Sequence, residues 1–350
     1  RVFEAIVDEL GCESRIVVTE AEPTQDSLDK FSKKYTYVSY RENSNAKHQL
    51  VSMAKRKART LPVSEKDQFM FSAWWTAYVI QAEYGEWEES GKLKPNPFLY
   101  LVQDYEPGFY AWSSEYVLSE ATYHCEYPQI AIFNSKELAT YFENMGYTFA
   151  KTYCFDPLLN PVLKKKVLAL DSTVYKRKQI LVYGRPSVDR NMFDMVVESL
   201  RKWISIQPGA ESWTFLSAGE MHDPVDLGGG LYLESVGKLS LEEYAEMLSE
   251  SFAGISLMVS PHPSYPPLEM ATFDVKVITN SYANKDMSSF SPNITSVDRV
   301  SPTKIARELK RICSDFHTVV PHQDVNPNYL SENPFAFIKE LKKDIEALEL

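Results

Sequence analysis

Cysteine and histidine are scarce in this chain of 350 residues. The six histidines form no HExxH or HxH pair, and the cysteines are far apart and form no CxxC pair. Zinc sites and disulfide frameworks need such clusters, so neither a metal nor a disulfide is expected and a reducing compartment is favoured. The four cysteines are Cys12, Cys125, Cys154 and Cys313.

Positive charge and long apolar runs are also limited. The 37 Lys and Arg residues face 48 Asp and Glu, giving a net charge of −11, so nucleic acid is excluded as the main partner. A membrane-spanning helix needs about 20 apolar residues. The apolar segment FMFSAWWTAYVI (69–80) is shorter and contains Ser and Thr. The N-terminus carries no recognisable signal peptide, which favours a cytoplasmic protein.

The chain does contain enough apolar material for two cores, with 44% hydrophobic residues. Apolar runs alternate with amphipathic stretches, which predicts parallel sheets covered by helices. The alternation stops over 152–178, where prolines and a KKK cluster indicate an interdomain linker. We therefore expect an α/β protein of two Rossmann-like, doubly wound domains with an interdomain cleft. The expected division is an N-terminal domain over 1–155, a C-terminal domain over 156–333 and a C-terminal helix over 334–350.

Single segments give further expectations. An amphipathic helix is predicted before Gly11, and the lack of a cap before it predicts that a first strand and loop lie upstream of Arg1. A second helix is predicted over 45–60, and a strand over 254–261.

Ligands of open α/β sheets bind outside the carboxyl ends of the strands. In the second domain Arg185 follows Gly184 at one such end, and Lys238 follows another glycine two strands later. Arginine presents a fork of donors suited to a pyrophosphate. The two cations therefore predict one anionic ligand, with solvated loop charges as the alternative.

The stretch SPHPSYPPLEMATF places Glu269 near the start of a helix that two prolines pre-set. Backbone amides near Ser264 and Tyr265 would face a phosphate at this helix N-terminus. Glu269 could then accept hydrogen bonds from ribose hydroxyls. The alternative is an acid that only stabilises the start of the helix.

In the first domain, Asp104 and Glu106 follow a strongly apolar strand. Residues two apart on an extended chain point to the same side, so both carboxylates are candidates for catalysis, with solvated strand-end acids as the alternative. Trp74, Trp75 and Thr76 lie at another strand end, where the indoles could stack on an acceptor sugar or pack in a core.

A basic segment offers a possible contact with a membrane surface. Lys55, Arg56, Lys57 and Arg59 lie on the helix predicted over 45–60. They could touch acidic lipid headgroups and hold a cytoplasmic protein at the inner face of the cell membrane. A solvated helix face is the alternative.

Motifs in both predicted domains resemble those of known protein families. The second domain resembles the retaining glycosyltransferases of family GT4, which have the GT-B fold. The shared motifs are the Gly184-Arg185 pair, GKLSLEEYAEML over 237–248, and SPHPSYPPLEMATFDVKVIT over 260–279. The strings VQDYEPGFY and SEYVLSEATY within 102–123, and FSAWWTAY over 71–78, resemble the rhamnosyltransferases of S-layer and related surface glycans, the WsaF-like group.

The resemblance implies roles for the matching residues. Arg185 would bind the diphosphate of a nucleotide sugar and Glu269 its ribose, while Lys238 would supply the second positive charge. Two family features are missing here. Pro261 stands where the motif has its first acid, and only Arg190 lies near the position of the family's lysine.

The implied activity is transfer of a deoxysugar, L-rhamnose from dTDP-β-L-rhamnose, to a hydroxyl of a growing surface glycan with retention. No metal or cofactor is expected, because cationic side chains neutralise the diphosphate in this fold. The helix over 334–350 would cross back to the first domain. Two alternatives stay open: a sugar-nucleotide 2-epimerase of the same architecture, which would need no acceptor, and a non-catalytic sugar-binding protein.

Overall fold

A computed structural model describes residues 1–19, 21–54, 62–91 and 96–348 of the chain. Helices and strands alternate along the described residues, and the fold class is α/β as predicted. The α-helices are α1 (Val2–Leu10), α2 (Gln25–Phe31), α3 (Trp74–Glu89), α4 (Ser114–Ala121), α5 (Lys136–Asn144), α6 (Pro161–Val167), α7 (Phe193–Ile206), α8 (Leu241–Glu250), α9 (Tyr265–Thr272), α10 (Pro302–Ser314) and α11 (Ile338–Leu348).

The strands are short, and most pair in parallel. They are β1 (Ser14–Val18), β2 (Thr36–Val38), β3 (His48–Ser52), β4 (Met70–Phe71), β5 (Phe98–Val102), β6 (Gln129–Phe133), β7 (Lys151–Cys154), β8 (Thr173–Tyr175), β9 (Arg177–Gly184), β10 (Thr214–Gly219), β11 (Val225–Gly228), β12 (Leu231–Gly237), β13 (Ser251–Ile255), β14 (Lys276–Asn280), β15 (Ile294–Val297) and β16 (Val319–Pro321).

The chain divides into two compact units. Unit 1 comprises Arg1–Phe133, Tyr147–Cys154 and Phe335–Leu350, and unit 2 comprises Asn134–Gly146 and Phe155–Pro334. Within unit 1, the Tyr153 hydroxyl of β7 donates a hydrogen bond to Asp344 of α11 at 2.5 Å. Helix α11 is therefore tied to a strand that lies far earlier in the sequence.

Unit 1 contains two parallel sheets, ordered β1-β3-β2 and β4-β5-β6-β7. Strand β3 shows that the helix predicted over 45–60 is wrong for its described part, residues 45–54. Residues 48–52 pair with a strand on each side, and the side chains of Leu50 and Val51 are buried. Hydrogen bonds to two neighbouring strands and burial of both apolar side chains outweigh the local preference for helix.

Unit 2 is built on a seven-stranded sheet in the order β11-β12-β10-β9-β13-β14-β15. All its strands are parallel except β11, which pairs antiparallel with β12 at one edge. The first strand of this sheet along the chain is the central strand β9. The chain then moves outward through β10 and β12 and returns to the other side of β9 at β13. This reversal is the switch point at which doubly wound sheets bind ligands.

Apolar clusters cover both faces of this sheet, because successive side chains of a strand point to opposite sides. On β9, Ile180 and Val182 belong to the cluster that includes Trp203 of α7. Leu181, between them, belongs to the cluster that includes Leu248 of α8 and Leu268 of α9. Unit 2 therefore has three layers. Its sheet lies between two apolar cores, one on each face, and these cores hold the strands in place.

Two other sequence predictions need correction. The predicted linker over 152–178 contains β7, α6 and β8, and α6 begins regularly, with the Val162 amide donating to Asn160 Oδ1 at 2.9 Å. The strand predicted over 254–261 is β13, which ends at Ile255 because the following residues leave the sheet as a loop. No helix within the described ranges is long and apolar enough to cross a membrane.

Candidate functional site

The loops after β9 and β13 meet at the switch point of unit 2. The amide of Val259, after β13, donates to the carbonyl of Arg190, after β9, at 2.8 Å. The Asn191 side chain donates to the Leu257 carbonyl at 3.3 Å. These bonds hold together the two loops between which a ligand of this sheet type binds.

Arg185 follows β9 at this edge, beside tightly packed glycines. Gly184 is the register partner of Gly219 on β10, and its carbonyl accepts from the Glu220 amide at 2.9 Å. A Cβ on Gly184 would lie 1.9 Å from Ser217 Oγ, so only glycine fits there. This close approach of the backbones sets the position from which the half-buried Arg185 side chain extends.

Glu220 is a neighbour of Arg185 that the sequence did not point to. Its carboxylate accepts from the hydroxyl of Ser187 at 2.7 Å and from the Ser187 amide at 3.2 Å. These bonds, and to a lesser degree the charge of Arg185, lower the pKa of Glu220. Arg185 therefore stands beside an ionised carboxylate, and an anionic ligand would share this cation with Glu220.

Lys238 lies at the same edge of the sheet. It directly follows β12, whose neighbour β10 separates it from β9. Adjacent strands are about 4.8 Å apart, so the ends of β9 and β12 are separated by about 10 Å. Lys238 is exposed and Arg185 is half-buried, and the two cations follow parallel strands at one edge of the sheet.

The loop before α9 has an unusual backbone at Ser264, with φ 68° and ψ 142°. A non-glycine residue with positive φ is strained, and such strain is often found at functional sites. The Ser264 amide donates to His262 Nδ1 at 3.0 Å, and the His262 ring lies 5.7 Å from that of Tyr265. This local arrangement fixes the loop at the start of α9.

Glu269, on α9, is half-buried among tyrosines. Burial raises its pKa to about 7, and the neighbouring Tyr244 hydroxyl opposes this rise. Burial, followed by the charge of Glu269, raises the pKa of Tyr244, Tyr265 and Tyr329. The sequence identified Tyr265 but not Tyr244 or Tyr329, which lie on distant segments and carry no motif.

In unit 1, Glu106 and Trp74 are brought together. The Trp74 amide, at the start of α3, donates to Glu106 Oε2 at 2.6 Å. The Trp74 indole donates to the Tyr110 hydroxyl at 2.9 Å. Glu106 thus caps helix α3 as well as being a candidate catalytic group, and Tyr110 is a further member of this cluster that the sequence did not indicate.

The remaining candidates of unit 1 have different surroundings. Asp104 is buried, not solvated, and its Oδ1 accepts from the Tyr105 amide at 2.9 Å. Trp75 is partly exposed, with its ring 6.2 Å from that of Trp74. The Thr76 hydroxyl donates to the Ala73 carbonyl at 2.6 Å, within its own helix turn.

The basic segment with Lys55, Arg56, Lys57 and Arg59 lies outside the described residues. Among the residues that are described, no three His, Cys, Asp or Glu side chains are grouped so as to hold a metal ion.

Comparison with known proteins identifies one family for both parts of the chain. The family model described as the WsaF N-terminal domain matches residues 1–136, and the WsaF C-terminal domain matches residues 178–310. The chain is also 30% identical over 190 residues to the O-antigen biosynthesis protein RfbC of Myxococcus xanthus. That match covers 52% of this chain and only 14% of RfbC.

Solved structures with this fold include TarM, which is 8% identical with a TM-score of 0.52, over 81% of this chain and 55% of TarM. WaaG, a glycosyltransferase involved in lipopolysaccharide biosynthesis, is 12% identical with a TM-score of 0.48, over 95% of this chain and 99% of WaaG. At such identities the TarM likeness concerns the fold alone. The fold is of the GT-B type, as predicted.

Proposed function

Because the chain belongs to the WsaF family, we propose that it is a glycosyltransferase acting on a surface glycan. Its donor would be dTDP-β-L-rhamnose, and its acceptor a hydroxyl of the growing glycan. The observation that carries the proposal is the switch-point edge of unit 2, where Arg185, Lys238 and the start of α9 lie at the carboxyl ends of parallel strands. The name of RfbC, an O-antigen biosynthesis protein, supports the class of product.

The donor would be held by charge and by hydrogen bonds. Arg185 and Lys238 would bind the diphosphate, and the amides at Ser264 and Tyr265 would add donors at the N-terminus of α9. Glu269 would accept hydrogen bonds from the ribose hydroxyls. Burial already removes part of this carboxylate from water, so ribose hydroxyls would replace lost hydrogen bonds.

The reaction would exchange one bond at the anomeric carbon. The bond between C1 and the phosphate oxygen breaks, and dTDP leaves with the electron pair. The acceptor oxygen bonds to C1 on the same face, and its proton passes to the departing phosphate oxygen. Arg185 and Lys238 would stabilise the negative charge that develops on the leaving group, which is the role a divalent metal has in other transferases.

The acidic and aromatic residues of unit 1 would serve the acceptor side. Asp104 or Glu106 would orient the acceptor hydroxyl or stabilise the oxocarbenium-like sugar. Trp74 and Trp75 would stack on an acceptor ring, with Thr76 beside them in the same helix turn. The bond from the Trp74 amide to Glu106 supports this grouping.

The test is an assay with dTDP-β-L-rhamnose and a rhamnose-containing oligosaccharide, followed by NMR of the product. We expect dTDP release that depends on the acceptor, a β-linked rhamnose and no loss of rate with a chelator. An α-linked product would contradict retention. Conversion of the sugar nucleotide without acceptor would favour an epimerase, and binding without turnover would favour a sugar-binding protein.

A further inference from the structure

Trp112 is the most exposed large apolar side chain among the described residues, with 94% of its surface open to solvent. It lies in unit 1 directly before Ser113, the N-cap of helix α4. Its ring stacks on that of Tyr116, with the centroids 5.4 Å apart and the planes at 23°. The indole therefore lies beside the Tyr116 ring while nearly all of its surface is uncovered.

The position of Trp112 is not explained by packing at the helix start. A hydrophobic staple joins the residue before the N-cap to the fourth residue of the helix and packs the two together. Those two residues here are Trp112 and Val117, and Val117 is 60% exposed. Trp112 thus adds little to the stability of α4, since its ring removes little apolar surface from water.

The loop that carries Trp112 continues from the candidate acceptor residues. Tyr110, two residues earlier, accepts the hydrogen bond of the Trp74 indole, and the two rings are perpendicular at 6.0 Å. Trp74 in turn binds Glu106 through its amide. Two aromatic pairs are therefore linked by one short stretch of chain, Trp74–Tyr110 beside a candidate catalytic carboxylate and Trp112–Tyr116 directly after it.

Charge favours a neutral, hydroxyl-rich partner over a lipid surface. Glu115 lies at the start of α4, where its own backbone amide and the Ser113 hydroxyl lower its pKa and keep it ionised. Carboxylates accept hydrogen bonds from sugar hydroxyls, and aromatic faces take the C–H face of a sugar ring. An anionic membrane would instead be repelled by this carboxylate and by a net charge of −11.

We propose that Trp112 and Tyr116 form a stacking platform for a sugar ring of the acceptor glycan, at a distance from the ring that reacts. The inference rests on the proposed transfer to a glycan and extends it. The platform would bind a sugar unit further along the acceptor chain. It would therefore add affinity for long acceptors without touching the reacting atoms.

The test compares Trp112→Ala with the unchanged protein on two acceptors, a rhamnose oligosaccharide and a single rhamnoside. For the oligosaccharide we expect KM to rise about tenfold, the change expected for loss of a buried aromatic contact, with kcat and the KM for the donor unchanged. For the single rhamnoside no change is expected. Trp112→Tyr should recover most of the lost affinity, because it keeps an aromatic face.

Tyr175→Ala is the matched control, since Tyr175 is an aromatic residue of unit 2 that is 64% exposed. It should leave both acceptors unaffected. The proposal is overturned if Trp112→Ala changes KM equally for both acceptors or for neither. It is also overturned if Trp112→Ala acts only by abolishing flotation with phosphatidylglycerol vesicles, which would assign the ring to a membrane.

Binding of the oligosaccharide is also measured without donor, by tryptophan fluorescence and calorimetry. This binding measurement distinguishes failure of the proposed transferase function from failure of the proposed platform. A protein that turns over no sugar nucleotide, yet loses oligosaccharide binding in Trp112→Ala, would refute the proposed function and retain the platform. Normal transfer with unchanged oligosaccharide binding in Trp112→Ala would refute only the platform.

Discussion

At the residue scale, Glu269 has the most informative environment. Burial raises its pKa to about 7, so near neutral pH it exists in both the protonated and the ionised form. A ribose diol donates hydrogen bonds, and an ionised carboxylate accepts them better than a protonated one. Nucleotide binding should therefore favour the ionised form of Glu269.

This preference predicts a pH-dependent effect of Glu269→Gln on affinity for dTDP. Below about pH 6 the protonated Glu269 resembles glutamine, so the two proteins should bind alike. At about pH 8 the ionised group is present only in the unchanged protein, which should bind about tenfold more tightly. Calorimetric titrations across this range give the ratio of the dTDP affinities of the two proteins. Titration of the dTDP phosphate affects both affinities equally, so it cancels in this ratio. A ratio that does not change with pH would contradict a role for the ionised carboxylate.

Gly184 gives a second prediction at this scale. A Cβ there would lie 1.9 Å from Ser217 Oγ and 3.1 Å from the Phe193 ring. Gly184→Ala should therefore lower the free energy of unfolding by about 1–3 kcal/mol, as overpacking does. Gly85→Ala is the control, because its Cβ would meet only Tyr127 Oη at 3.9 Å and alanine favours helix. Chemical denaturation measures both, and equal stability of the two variants would show that the strand ends are not tightly packed.

At the element scale, helices α8 and α9 end against one buried lysine. Lys176 Nζ donates to the Leu248 carbonyl at 3.1 Å and to the Phe273 carbonyl at 2.6 Å. Burial lowers its pKa to about 7, while the charge of Asp274 opposes this shift. Lys176 thus fixes the C-terminal ends of the two helices that carry Tyr244 and Glu269.

The lowered pKa of Lys176 predicts a rise in stability with pH. Between about pH 7 and pH 10 the unfolded chain keeps the proton that the folded protein has lost, so raising the pH favours the folded state. The free energy of unfolding of the unchanged protein should rise relative to that of Lys176→Met over this interval, by at most about 4 kcal/mol. Lys178→Met, at an exposed position two residues further along the chain, should show no such trend. A constant difference between the unchanged protein and Lys176→Met would mean that the lysine stays charged in the fold.

Much at the element scale could be predicted from the sequence, and the failures have physical causes. Strand β9 and the residues after it could be located, because an apolar run that ends in glycine is a local signal. Strand β3 could not, because Leu50 and Val51 become buried only when β1 and β2 pair on either side. Likewise, Tyr329 comes near Glu269 through tertiary packing, which no spacing along the chain reveals.

At the scale of the whole molecule, the proposed donor binding depends on local positive charge in an acidic protein. The net charge of −11 gives no general attraction for a nucleotide sugar. Under the proposed function, binding would therefore come from cations fixed at one edge of the unit 2 sheet. Arg185 and Lys238 lie at that edge because β9, β10 and β12 are parallel neighbours.

Calorimetric titration of dTDP into the unchanged protein, Arg185→Ala and Arg177→Ala tests this claim most directly. Each variant loses one positive charge, but Arg185 directly follows β9, whereas Arg177 lies at the amino end of that strand and pairs with Glu250 at 2.9 Å. We expect Arg185→Ala to weaken binding about tenfold or more, since hydrogen bonds to charged groups are strong, and Arg177→Ala to leave it unchanged. Equal affinities of the two variants for dTDP would contradict the account.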